Sequence, residues 1–169
     1  MTNVTKWTEN ITKEIYSEYK NKYSFWKHGI KVFYSPVRLE PDLMIISYQP
    51  GGTEKNYIEE EKDSFEKGEF KMQTFNSYIE TDYTMSCKIR SLFDFDNGLY
   101  FLNKSVVLPL IFFRAPTINA WRKDLSKQQR MVMEEFCFSK VKEIVQKLQP
   151  KKILILGIET YDQLKNIHR

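Results

Sequence analysis

The sequence predicts an α/β domain, with helices on both faces of a mainly parallel central sheet of about four strands. Two observations predict it. Apolar runs at 43–47, 105–113 and 151–156 have the length and character of strands buried on both faces. Amphipathic helical stretches alternate with them, and the order strand, helix, strand, helix, strand, helix is that of a parallel sheet covered on both sides.

Trp7, Ile11, Ile15, Tyr19, Tyr23 and Trp26 recur at three- and four-residue steps with Lys and Glu between them, which predicts a helix from Thr5 to Lys27. This aromatic stripe reads as core packing. Ile30 to Tyr34 reads as a short strand or extended link, and Pro36 and Pro41 bracket a loop. Leu43 to Ser47 is the first strand. Residues 53–83 mix charge with aromatics and have no clear period, which fits a helix plus a flap. Thr84 to Phe95 reads as a helix, with Met85, Ile89, Leu92 and Phe93 on one side. Asp96-Asn97-Gly98 is a turn signal. Ser105 to Phe113 is the second strand, and Pro109 inside it removes a ladder donor, so a bulge, an early end or a sheet edge is expected there. Leu125 to Leu148 is the clearest helix, with Ser126 as N-cap and Val132, Phe136, Cys137, Val141, Ile144, Val145 and Leu148 as its apolar face. Pro150 ends it, Lys151 to Leu156 is a third buried strand, Gly157 breaks that strand, and Thr160 to Ile167 starts another helix.

A chain of 169 residues with 41% hydrophobic and 15% aromatic content has material for one domain, 1–169, with a proper core. No apolar run approaches the roughly 20 residues that span a membrane, so no membrane partner is expected. The first thirteen residues are polar and include acids, unlike a signal or transit peptide. Cys87 and Cys137 are too few for a four-cysteine metal site and read as two buried, reduced thiols of a cytoplasmic protein. His28 and His168 lack metal-ligand spacing. No metal and no cofactor are expected. The net charge of +4 is unevenly spread: residues 54–69 hold seven carboxylates against three lysines, a net −4, which leaves +8 on the remainder. The acidic block reads as a solvated helix or flap. A basic surface elsewhere suits DNA and is equally an ordinary solvated face.

The candidate site lies where the first strand ends. In open α/β sheets ligands bind beyond the carboxyl ends of strands. Tyr48 and Gln49 stand at such an end, and Pro50, Gly51 and Gly52 allow a sharp turn and close approach of backbone to a ligand. The same loop, Pro50 to Thr53, also reads as a nucleotide- or phosphate-binding turn in an unrelated α/β protein.

Three segments in order resemble the uracil-DNA glycosylase superfamily. Met44-Ile45-Ile46-Ser47-Tyr48-Gln49-Pro50-Gly51 resembles that family's first motif, a buried strand ending in patterns such as GEAPG, GQDPY or GINPG. Val106 to Pro116 resembles the family strand that enters an N-x-x-x-x-R-x-P loop. Phe136 to Leu164, with Cys137, Pro150, Ile153 to Gly157 and Leu164, resembles the segment before the last motif. Together they cover about half of the chain.

The resemblance implies a three-layer α/β/α fold around four parallel strands, DNA as partner, and hydrolysis of an N-glycosidic bond after a base is flipped into a pocket. By position, Tyr48 stands where GEAPG has Glu, and Gln49 stands where the other patterns have Asp or Asn. Gln49, with Tyr48, is then the candidate for placing the attacking water, though an amide cannot accept its proton. Pro109 stands where the base-reading Asn is expected, which points to a bulky or modified base rather than uracil, and to DNA repair or defence against modified viral DNA. Phe75 and Tyr78 are candidates for stacking the base, with core or flap packing as the other reading. Arg114 is a candidate phosphate contact or a surface salt bridge. The family's last motif, with its His, has no counterpart before Arg169, so a further strand and helix are expected to follow. His168 comes too early for that motif and has no assigned role. A glycosylase fold without catalysis, binding DNA or protein, is the competing expectation.

Overall fold

The computed structural model describes residues 3–167; His168 lies outside them. Helix α1, Asn3–Lys22, packs Ile11, Ile15, Tyr16 and Tyr19 inward. It ends five residues before the expected Lys27, because the chain turns there and sends Trp26 into the core. Residues 30–34 form no strand beyond one bridge, Ile30 to Phe113.

Strand β1, Met44–Ser47, is central. The segment after it is helical from 54 to 66: α2, Glu54–Tyr57, passes into a π turn, Ile58–Lys62, and then into α3, Asp63–Glu66. Short helix α4, Ser77–Glu80, and α5, Thr84–Leu92, follow. On α5, Ile89 is buried and Phe93, its C-cap, lies at the core, whereas Met85 and Leu92 are exposed. The inward line is Ser86, Ile89 and Phe93, one step away from the expected face. Helix α6, Gly98–Lys104, was not expected, and neither was α7, Ile118–Lys123.

Strand β2, Val106–Pro109, stops at its proline and lies at a sheet edge, two of the outcomes that Pro109 predicts. Helix α8, Lys127–Leu148, begins at Ser126, whose hydroxyl accepts from the Gln129 amide at 3.2 Å while the Gln129 side chain accepts from the Ser126 amide at 2.9 Å. Met133 rather than Val132 completes its inward face. Strand β3, Ile153–Ile155, and helix α9, Ile158–Ile167, end the described chain.

The three strands are parallel in the order β2-β1-β3, with Met44 opposite both Val106 and Ile153. Among the described residues the sheet therefore has three strands rather than about four. Alternate residues face two cores. Met44, Ile46, Val106 and Leu108 pack with α1, α7 and α8, and Ile45 and Val107 pack with α4, α5 and α6. β3 is less buried than expected: Ile153 is 42% exposed, and among the described residues β3 is an edge strand.

The cysteines also divide, because only one is buried. Cys137 accepts from the Phe112 amide, and burial pushes its thiol pKa far up, while Cys87 is exposed. A thiol reagent in excess should label Cys87 in the native protein and reach Cys137 only after denaturant is added, as peptide mass mapping will show.

Candidate functional site

β1 delivers Tyr48 and Gln49 to the carboxyl end of the sheet, and the chain after β2 holds the following loop by its backbone. Leu110 donates to Ser47 O at 2.7 Å, Ile111 to Tyr48 O at 2.8 Å, and Ala115 to Pro50 O at 3.1 Å. Seven of the expected site positions thus converge on one loop pair: Tyr48, Gln49, Pro50, Gly51, Gly52, Pro109 and Arg114.

Gln49 is half-buried, and its Oε1 is buried with no hydrogen-bond partner among the described residues. A buried carbonyl oxygen left without a donor is costly and uncommon. It is an acceptor available to a water or to a ligand N–H. Tyr48 is buried. Burial first, and then the negative Glu134 and Glu159, push its pKa up to about 12. At neutral pH it is therefore a neutral phenol, able to donate or accept a hydrogen bond but unfit as a base.

Those two carboxylates belong to a charged cluster absent from the sequence reading. Glu134 on α8 accepts from the Trp121 indole N–H at 3.3 Å and lies 3.8 Å from Arg130. Glu159 on α9 pairs with Arg122 on α7 at 2.5 Å. The cluster fastens α7, α8 and α9 near Tyr48.

Gly52 has φ +111, and a Cβ there would sit 3.0 Å from Arg114 Nη1 and 3.1 Å from Asn56 Oδ1. The positive φ favours glycine at this turn, and a Cβ would press on both side chains. Gly51 has open space around its Cα. Pro109 is buried opposite Ser47, and its ring carries no hydrogen-bonding group.

Arg114 lies neither on a surface salt bridge nor in reach of an outside phosphate. Its side chain is 4% exposed. Nη1 donates to Gly51 O at 3.1 Å, and Nη2 donates to Glu61 at 2.8 Å and to Glu60. Glu61, whose side chain is 8% exposed, also takes Lys31 at 2.5 Å. Burial pulls the guanidinium pKa down, but Glu61, Tyr34 and Glu60 outweigh it, and the net shift is upward. The acidic block is therefore not wholly solvated: Glu61 is buried as a counter-ion, and Glu60 reaches Arg114 from the exposed side.

The aromatic candidates part company. Tyr78 is buried under the end of β1, where it shares a hydrogen bond with the Ser47 side chain, so it packs in the second core. Phe75 is 44% exposed on the segment entering α4 and makes no ring contact among the described residues. Two cavities, of about 130 and about 290 Å³, are lined by other parts of the chain and by no residue of 48–52. Among the described residues no group of three or more His, Cys, Asp or Glu is placed to hold a metal ion, and no helix is long and apolar enough to cross a membrane. Compared with protein-family models and with curated proteins, the chain matches none.

Proposed function

We propose that this chain is a DNA glycosylase-like protein that flips a modified base out of DNA and cleaves its N-glycosidic bond at the carboxyl end of β1. The observation that carries the reading is the buried, partnerless Gln49 Oε1 at the end of the central strand, beside a Pro-Gly-Gly turn. The N-glycosidic bond breaks with its electron pair going to the base, the oriented water adds to C1' of the oxocarbenium-like sugar, and its proton passes to the departing base or to solvent, because the Gln49 amide can orient the water but cannot take its proton. The neutral Tyr48 phenol can share that water. Pro109 brings no side-chain group that could read a base edge, which suits a modified base better than uracil. A three-layer fold with a fourth strand beside β3 belongs to the same reading.

The test is incubation with DNAs carrying uracil or natural base modifications, with released bases identified by mass spectrometry. Release of one base supports the reading. Gln49→Ala should then lower release about a hundredfold or more while leaving DNA affinity within about threefold. Release that survives the substitution would remove the water-positioning role. Salt-sensitive DNA binding without release would favour a non-catalytic DNA-binding subunit, which the absence of a carboxylate at Tyr48 and Gln49 and the apolar Pro109 already favour as the second reading. Binding of mononucleotides but not DNA would favour a nucleotide site at Pro50 to Thr53.

A further inference from the structure

We infer that Arg114 is a positioning residue that sets the shape of the Pro50–Gly51–Gly52 turn from inside the protein, with the acidic helix 54–66 as its counter-ion. The consequence for ligand binding rests on the function proposed above; the control of loop shape rests on geometry alone.

The Arg114 backbone is tied to the scaffold at both its polar groups: its N–H donates to Gly29 O at 3.0 Å, and its carbonyl accepts the Trp26 indole N–H at 2.7 Å. From that fixed point the guanidinium reaches three acceptors at once: Gly51 O, Glu60 and Glu61. Next to it, the Ala115 amide holds Pro50 O. Two consecutive loop carbonyls are thus tied to two consecutive residues after β2. On the other side of the turn, Thr53 N–H donates to Asn56 Oδ1 at 2.9 Å, at the start of α2. Gly52, between these ties, lies so close that a Cβ there would sit 3.0 Å from Arg114 Nη1.

The π turn serves this arrangement. Neighbours on a regular α-helix point about 100° apart. Glu60 and Glu61 lie inside the wider π turn, and both carboxylates meet one guanidinium. Lys31 then balances the second oxygen of Glu61. The cation is neutralised internally, its side chain is shut off from solvent, and the planar fork is what matches three acceptors. A lysine at 114 keeps the charge but not the fork.

The test uses the full chain with Arg114→Lys and two readouts. Amide hydrogen exchange at Ala115 and Thr53 should accelerate about tenfold or more, whereas Leu156, which donates to Ile46 O inside the sheet, should change less than about twofold. Affinity for a single-stranded oligonucleotide should fall about fivefold with the salt dependence unchanged, because no phosphate contact is lost. A salt slope lower by about one would make Arg114 a phosphate contact and overturn the inference. Unchanged exchange at Ala115 and Thr53 would overturn it, and so would equal acceleration at all three amides, which marks a merely structural residue. If the wild-type protein binds no DNA, the proposed function fails and the exchange readout still decides the inference. Should Arg114→Lys not fold, Glu60→Gln, at a side chain 35% exposed, should give the same selective pattern at about two- to threefold.

Discussion

Glu61→Ala is expected to destabilise the protein by about 3–5 kcal/mol, a large part of the roughly 5–15 kcal/mol that holds a domain folded. The carboxylate sits between Arg114 and Lys31, whose side chains are 4% and 12% exposed. Its removal leaves two cations facing each other away from water, with only Glu60 to answer them. Glu60 cannot compensate fully, since it lies 3.6 Å from Lys31 and already binds Arg114. Urea denaturation should show the loss as a lower midpoint with an unchanged slope. The double variant Glu61→Ala with Lys31→Met should recover part of it, because one of the stranded charges disappears with its partner. Added salt should change the deficit little, since the cluster is poorly reached by ions. A deficit below about 1 kcal/mol would place Glu61 among ordinary surface pairs.

Trp121→Ala should cost a similar amount, about 3–5 kcal/mol, by a different route. The indole is fully buried, meets Trp26 edge-on at 5.4 Å between ring centroids and stacks on Phe113 at 5.9 Å. Alanine leaves a hole in the middle of the larger core and removes the donor from Glu134. Trp121→Phe separates the two losses. It keeps a ring between Trp26 and Phe113 but no N–H, and should cost about 1–2 kcal/mol. Thermal unfolding of the pair measures the difference, and equal losses for both variants would mean that the hydrogen bond, not the packing, holds this region.

What could be read from sequence follows the range over which each signal acts. α8 was legible because its cap, its apolar period and the proline after it lie within one segment. β1 and the loop of Gln49 were legible for the same reason, as an apolar run cut off by Pro-Gly-Gly. α6 was not, because Leu99, Tyr100 and Phe101 are adjacent and exposed, which gives no face to a period, and the helix starts at a glycine. α7 is one and a half turns long and carries a single buried residue, Trp121. The misreading of Arg114 has a different origin. Its partners stand 53 and 54 residues earlier, in a block whose local composition is that of a solvated helix. No local pattern marks Glu60 and Glu61 as the two that meet Arg114, and none marks Glu134, a carboxylate one turn from the buried Cys137 on α8, as the one whose charge acts on Tyr48.

The strand order has a consequence for how the chain is made. β1 is translated before both of its partners, and both of its edges stay open until residues 106–109 and then 153–155 have left the ribosome. All sheet pairing is therefore non-local, a topology that slows folding and prolongs exposure of sticky intermediates. The nascent segment at risk is Met44 to Ile46, wholly apolar and unpaired. The block that begins at Glu54 follows it within a few residues and carries most of its charge as carboxylates. The same glutamates that neutralise Arg114 in the folded protein are flanking charge of the kind that disfavours pairing between two unpaired copies of such a strand.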